Sequence, residues 1–252
     1  MKITSWNING LRAIHKKGFV DFLNQDKSDI YCLQEVKAQK DQIQKIIQEL
    51  APYHFYLNSA EKKGYSGVAI LSKEKPLEIK TKFPDILNYE GRIIEAHFKD
   101  FVLLNIYFPN GGKRANGDDM LGFKLNFYDK LINYLKDFKK DIIIAGDFNI
   151  AHTEIDIKRA KENKNSIGFL PIERDKLTHF LNHGYIDAFR FLNPEARDVY
   201  SWWSYRANAR ANNVGWRIDY FFTSISMQSK LKSCTHQTDI IGSDHCPISL
   251  EF

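Results

Sequence analysis

Several strand-like runs in this 252-residue chain end on polar side chains where a core strand should stay apolar. SWNIN carries Asn7 and Asn9. DIYCLQEVK leaves an apolar run at Glu35. GDFN carries Asp147 and Asn149 directly after Gly146. WRIDYFF interrupts an aromatic run with Asp219, and GSDHCPI places Asp244 and His245 just ahead of the last apolar run. Side chains alternate faces with period two along a strand, so Asn7 and Asn9 are expected on one face, as are Asp147 and Asn149. Gly146 is expected to permit a sharp turn between strand and site. The set is carboxylate, carboxamide and imidazole, with no thiol. Such oxygen donors suit a hard cation, Mg²⁺ or Mn²⁺. The chemistry they can support is metal-assisted attack of water on a phosphoryl centre. That reaction needs a cation, a group to orient or deprotonate water, and donors for the phosphoryl oxygens.

Competing chemistries lack their signatures. There is no His-Glu-x-x-His run for a zinc protease and no glycine-rich phosphate loop ending in Gly-Lys-Ser/Thr. Gly64-Tyr65-Ser66-Gly67 is one residue short of a nucleophile elbow.

The elements that must position these residues alternate between strand and helix signals. Strands are expected over 2–8, 29–34, 53–58, 67–72, 77–83, 92–98, 101–107, 141–145, 199–204, 217–223 and 247–252, with a tight hairpin at Lys99-Asp100. Helices are expected around Phe19–Leu23, over 41–50 with Asp41 as N-cap, over 118–138, and over 173–182 closing near Gly184. Runs of strands without long intervening helices predict antiparallel sheet. A weak duplication is visible: a strand ends in Asn7-x-Asn9 early in the chain, and another ends in Asp147-x-Asn149 after the long helix. Two similar sheet-plus-helix layers packed face to face, in the order α/β/β/α, follow from it.

Composition bounds the rest. Apolar residues are 43% and charged residues 27% of the chain, an ordinary globular mixture. No stretch approaches a membrane span. No signal or transit segment precedes the first strand, which points to a cytoplasmic, prokaryotic-type protein. The three cysteines, Cys32, Cys234 and Cys246, are far apart, which disfavours a disulfide scaffold or zinc site. A net charge of +5 tilts mildly toward anionic partners. No linker or composition shift divides residues 1–252, so one domain is expected.

The segments WNINGLRA, LQEVK, GYSGVAILS, EGRIIEA, NIYFPNG, GDFNIAHTEID, GFLPIER, SWWSYR, ARANNVGWRIDYFF and GSDHCPI run nearly end to end. Together they resemble the exonuclease III family of apurinic/apyrimidinic (AP) endonucleases, within the endonuclease/exonuclease/phosphatase superfamily. The resemblance implies a DNase I-like four-layered sandwich. It implies hydrolysis of the phosphodiester 5′ to abasic sites in double-stranded DNA, together with trimming of 3′ ends, by a monomer using one or two Mg²⁺ or Mn²⁺ ions. A less selective nuclease acting on intact DNA or RNA is the alternative within the superfamily. By resemblance, Glu35 is the principal metal ligand, with Asn7, Asp147, Asn149, Asp244 and His245 completing the metal site. Asp147 orients or deprotonates water, Asn7 and Asn149 hold it and the phosphate, and Asp219 pairs with His245. Tyr107 and Asn110 contact the phosphate. Asn9 stands where some relatives have an acid.

For DNA, the resemblance assigns an apolar pocket for the base-free sugar to Trp202, Trp216 and Ile218. Tyr65, Arg206 and Arg210 are its candidates to contact or wedge the duplex. Arg12, Lys16, Lys17, Lys37, Lys63, Arg92, Lys113 and Arg114 are expected on loops that grip phosphates. Trp6 and Trp203 are expected in the core.

Overall fold

The structure, a computed structural model, describes residues 1–113 and 117–252; Arg114 lies outside the described residues. The first half runs β1 (Lys2–Asn7), α1 (Leu11–His15), α2 (Phe19–Asp26), β2 (Ile30–Gln34), α3 (Gln44–Glu49), β3 (His54–Asn58) and β4 (Val68–Ser72). There follow β5 (Glu78–Lys80), β6 (Ile93–His97), β7 (Phe101–Tyr107), α4 (Leu121–Leu135), β8 (Asp141–Asp147), α5 (Ala160–Asn163) and α6 (Pro171–Leu181). The chain ends through β9 (Tyr185–Asp187), α7 (Ala188–Leu192), β10 (Trp202–Trp203), β11 (Gly215–Trp216), β12 (Asp219–Ser224), β13 (Ser233–His236) and β14 (Ile248–Glu251).

Two six-stranded sheets result, ordered β13-β14-β1-β2-β4-β3 and β5-β6-β7-β8-β12-β9. Their inner faces meet over Ile3, Cys32, Ile70, Leu103, Ile143, Phe221 and Ile248. The outer face of the first sheet is covered by Leu11, Ile14, Phe19 and Ile46 of α1, α2 and α3. The outer face of the second is covered by Phe127, Tyr128, Leu131, Leu177 and Phe180 of α4 and α6. This is the expected α/β/β/α sandwich, of DNase I-like type.

The duplication is real at the level of pairing. β1 lies between parallel β2 and antiparallel β14, and β8 lies between parallel β7 and antiparallel β12. Each central strand therefore carries the same neighbours in the same sense. Period-two alternation puts Ile3 and Asn7 on the inner face of β1, and Ile143, Ala145 and Asp147 on the inner face of β8. At the end of both strands the apolar sandwich gives way to polar side chains, and there the site forms.

Several local expectations change. Asn9 and Asn149 do not continue their strands; both adopt left-handed backbone, at φ 46° and 56°. The shared-face reading therefore fails past Asn7 and Asp147. Gly146 is not a turn but lies inside β8, where a Cβ would stand 1.9 Å from the Ile106 carbonyl oxygen. It is glycine because β7 approaches too closely for a side chain. Asp41 caps no α-helix: it lies in a 3₁₀ turn (Lys40–Gln42), where Gln39 N donates to Gln42 Oε1, and α3 opens only after Ile43. α4 is shorter than expected at both ends, starting at Leu121, whose N–H donates to the Asp119 carboxylate, and ending at Leu135. α6 starts earlier, at Pro171, a residue suited to the first helical position. β5 and β10 are shorter than their predicted runs. β9, β11, β13 and α7 were too short to give a periodic signal.

Candidate active site

Asn7 and Asp147 meet between the sheets at the ends of β1 and β8. Asn7 Nδ2 donates to Asp147 Oδ2 at 2.9 Å and to Glu35 Oε1 at 2.9 Å. Each residue also closes its own turn: Asn9 N donates to Asn7 Oδ1 at 3.1 Å, and Asn149 N to Asp147 Oδ1 at 2.9 Å. These bonds hold Asn9 and Asn149 in left-handed backbone. Glu35 and Lys37, each at φ 52°, share that conformation. Such non-glycine positions cost energy and persist only where the surroundings enforce them.

Asp219 opens β12 and bonds His245 Nδ1 at 2.8 Å, while His245 Nε2 lies 3.8 Å from Asp147 Oδ2. Asp147, Asp219 and His245 are almost wholly buried. Burial alone would depress the imidazole, but the Asp219 carboxylate, then Asp147 and Asp244, raise His245 to about 10. The ring is an imidazolium at neutral pH. In that state both ring nitrogens carry protons, and His245 acts as a hydrogen-bond donor. Asp147 is pushed up in turn, first by burial and next by the charge of Asp219.

Glu35 closes one wall. Its Oε2 accepts from Lys37 Nζ at 2.6 Å, and that ammonium also reaches Asn9 Oδ1. Burial opposes its ionisation, but Lys37 and the Asn7 amide hold its carboxyl below the usual range. The Tyr107 phenol hydrogen-bonds Glu35, and burial with that carboxylate keeps it protonated. Asp244 accepts from Asn9 Nδ2 at 2.9 Å and from Trp202 Nε1 at 3.1 Å. Asn149 Oδ1 accepts from Asn110 Nδ2 at 3.0 Å.

Glu35, Tyr107, Asn110, Asp147, Asn149, Asp244 and His245 line one cleft of about 450 Å³, which is also lined by Ser166, Ile167, Gly168, Trp202, Trp216 and Ile218. Trp202 and Trp216 are cross-strand partners with rings at 88°, 6.0 Å apart. Ile218 packs with them against Ile157 and Phe169. Most of the catalytic, ligand and pocket residues expected from sequence thus line a single opening, with Asn7 and Asp219 hydrogen-bonded to its lining residues Asp147 and His245. Among the described residues, Asp147, Asp219 and His245 also offer atoms within 4.8 Å of one another.

The basic residues divide. Arg12, Lys16, Lys17 and Lys37 line a groove beside the cleft. Lys63, Lys113 and Arg206 are exposed, and Tyr65 is half-buried. Arg92, expected on a phosphate-gripping loop, is instead buried. It is 3% exposed, with its guanidinium on Tyr107 O and Tyr65 Oη and stacked 4.8 Å from the Tyr107 ring. Arg210 is likewise spent, donating to the carbonyls of Thr238, Ile240 and Ser243 and lying over Trp203. It clamps the loop that carries Asp244. Trp6 and Trp203 are core, as expected. Sequence reading missed Tyr205, whose ring is 71% exposed while its hydroxyl bonds Asn9 and Asp244. Its place in the aromatic run SWWSYR was the available signal. It also missed Ser201, whose Oγ accepts from both Ile218 N and Asp219 N.

A carboxylate–imidazolium pair, a raised carboxylate and oxygen donors at the mouth of a two-sheet sandwich define a phosphoesterase-type hydrolase. Comparison with known proteins agrees. The endonuclease/exonuclease/phosphatase family pattern matches residues 4–245, and the chain belongs to that family. It is 42% identical over 256 residues to an exodeoxyribonuclease of Bacillus subtilis, covering 99% of this chain and 98% of that protein. It is 40% identical over 256 residues to a DNA-(apurinic or apyrimidinic site) endonuclease of Dictyostelium discoideum, covering 99% of this chain and 70% of that protein. A Neisseria 3′ phosphatase bound to a product DNA hairpin superposes with a TM-score of 0.90 at 26% identity, covering 100% of this chain and 99% of that one.

Proposed function

We propose that the cleft hydrolyses the phosphodiester 5′ to abasic sites in double-stranded DNA and also processes 3′ ends, as one domain acting as a monomer in the cytoplasm. The enzyme is a DNA-repair nuclease. The observation that carries the substrate reading is the sharing of one opening by the Asp147–His245 pair and the Trp202/Trp216/Ile218 wall. A small apolar recess beside the reacting phosphate admits a base-free sugar and excludes a nucleotide that keeps its base.

The donor set fits a divalent cation. Four carboxylates, Glu35, Asp147, Asp219 and Asp244, face two cations, Lys37 and the His245 imidazolium, so full ionisation leaves excess negative charge. Among the described residues, Asp219 Oδ1 is buried with no hydrogen-bond partner. Glu35, with Asn7, Asp147, Asn149 and Asp244 around it, would hold Mg²⁺ or Mn²⁺. When bound, the ion polarises the phosphoryl group and offsets its charge.

The chain's own groups do the rest. Asp147 stands as the base that takes a proton from water, held in place by the Asn7 amide and Asn149 N. His245, kept charged by Asp219, donates to a phosphoryl oxygen from the side facing Asp147. Tyr107, Asn110 and Asn149 bound the remaining phosphate space. Attack on phosphorus breaks its bond to the 3′ oxygen and leaves a 3′-hydroxyl upstream of the lesion.

The test is a duplex carrying one tetrahydrofuran abasic mimic, run beside intact duplex and a 3′-phosphate end, with EDTA controls. Metal-dependent incision 5′ to the mimic, with intact duplex spared, is expected. Absence of incision with Mg²⁺ and Mn²⁺ overturns the substrate reading, and equal cutting of intact duplex favours the less selective nuclease.

A further inference from the structure

Behind the cleft lies an ion pair that no reacting group touches. Lys124 on α4 and Glu173 on α6 are both wholly buried, with Nζ 2.5 Å from Oε1. The ammonium's two other donors go to main-chain carbonyls, Asn149 O at 2.8 Å and Asn110 O at 3.1 Å. An ammonium has three donors, and all three are used. The other carboxylate oxygen of Glu173 accepts from Gly168 N at 2.6 Å and Leu170 N at 3.1 Å.

The contacts fall on three segments around the cleft. Asn110 follows β7, Asn149 follows β8, and Gly168 belongs to the segment facing Trp216. The loops also touch one another. Asn110 Nδ2 bonds Asn149 Oδ1, and Ala151 N bonds Gly168 O at 2.8 Å. A Cβ on Gly168, at φ +90°, would lie 3.1 Å from both Asn149 O and the Trp216 ring. One buried charge pair therefore joins the phosphate side of the cleft to its apolar wall.

We propose that Lys124 and Glu173 are positioning residues that lock the Asn110, Asn149 and Gly168 loops into one arrangement, so that phosphate contacts and apolar pocket are held at a fixed separation. Two observations favour this over a purely stabilising role. A buried ion pair is weak support for stability, because an apolar pair of similar volume often serves as well. Here, moreover, three of the pair's bonds go to cleft loops, at Asn110 O, Asn149 O and Gly168 N, beside the bond between the partners and the cap that Glu173 makes to Leu170 N at the start of its own helix. Misplacement of reacting groups by about 1 Å costs about 100-fold in rate, so a lock of this kind acts on turnover. The inference rests on the proposed role of Asn110 and Asn149 at the phosphate.

The test compares wild type with E173Q and with the apolar double variant K124M/E173L, which leaves no unpaired buried charge. Amide hydrogen exchange over 147–151 and 166–170 reads the lock without any substrate. Steady-state kinetics on whichever phosphoester wild type cleaves reads its consequence. Exchange in those two segments is expected to quicken in both variants while the β1 and β2 amides stay protected. In the double variant kcat is expected to fall about 30-fold with KM within about threefold, and in E173Q by less, because the amide keeps the Lys124 contact. Unchanged exchange in folded E173Q overturns the lock, as does unchanged exchange in folded K124M/E173L. If the double variant does not fold, exchange and kcat in E173Q decide. Loss of the lock by exchange with unchanged kcat refutes instead the role given to Asn110 and Asn149 in turnover.

Discussion

The two halves of the molecule share a backbone plan but not its chemistry. In the first, β1 ends in Asn7-Ile8-Asn9; in the second, β8 ends in Asp147-Phe148-Asn149. Both ends close the same turn, with the first side chain accepting from the third residue's N–H and the third residue left-handed. Pairing makes Asn7 and Asp147 equivalent. Glu35 lies one residue past the position that matches Tyr107, and His245 one residue before the position that matches Asp219. Across the interface these groups meet as opposites: Asn7 donates to Asp147, Tyr107 donates to Glu35, and His245 pairs with Asp219. Repeating the same residue in both halves would set carboxylate against carboxylate or donor against donor. The duplicated scaffold brings equivalent positions face to face, and divergence between the halves turns that meeting into a site.

The largest effect should come from removing the one carboxylate that no residue of the first half can replace. Asp147→Asn is expected to lower kcat about 10³-fold on the abasic duplex. The exchange Asn7→Asp with Asp147→Asn keeps the charge and the bond between the halves but moves the carboxylate away from His245. It should fold and remain as inactive as the single variant. Activity in the exchanged protein would show that the halves are interchangeable and would break the comparison.

Next is Asn7→Asp alone, which sets a third carboxylate within 2.9 Å of both Glu35 and Asp147. Denaturant unfolding should report a loss of about 3 kcal/mol, the cost of buried charge left without a partner. Wild-type stability would mean that the asymmetry between Asn7 and Asp147 carries no electrostatic weight.

A smaller effect separates His245 from Asp219. Because the folded imidazolium titrates near 10 and a free one near about 6.5, the proton on His245 favours the fold. That contribution is complete below about pH 6.5 and is lost as pH rises through about 10. The rate should fall through the same alkaline range, as the donor to phosphate disappears. In Asp219→Asn the alkaline limb of the pH–rate profile should move down toward neutrality. A limb that stays in place would assign it to another group.

Much of this was readable from residue order. Asn7, Glu35, Asp147, Asp219 and His245 stood out because each lies at or just beyond the end of a largely apolar strand-like run. The layer order followed from the repeated strand–helix pattern. What escaped was decided by partners distant in the chain. Arg92 read as a phosphate contact and Arg210 as a contact or wedge for the duplex, whereas the carbonyls and rings that occupy them are not visible in sequence. Asn9 and Asn149 read as strand-face residues because period-two alternation carries no warning of a left-handed turn. Lys124 and Glu173 were invisible, since a lysine and a glutamate on amphipathic helices ordinarily face water.

Residue types and their strand-end positions were thus settled by the chain itself, because alternation and local turn chemistry act between neighbours in sequence. The protonation of His245, the raised carboxyl of Asp147 and the lock beneath the cleft belong to the tertiary structure. Asn7 and Asp147 are separated by 140 residues and become partners only when the sheets pack. Electrostatic energy depends on distance and on exclusion of water, and neither exists for these groups until the sandwich has closed.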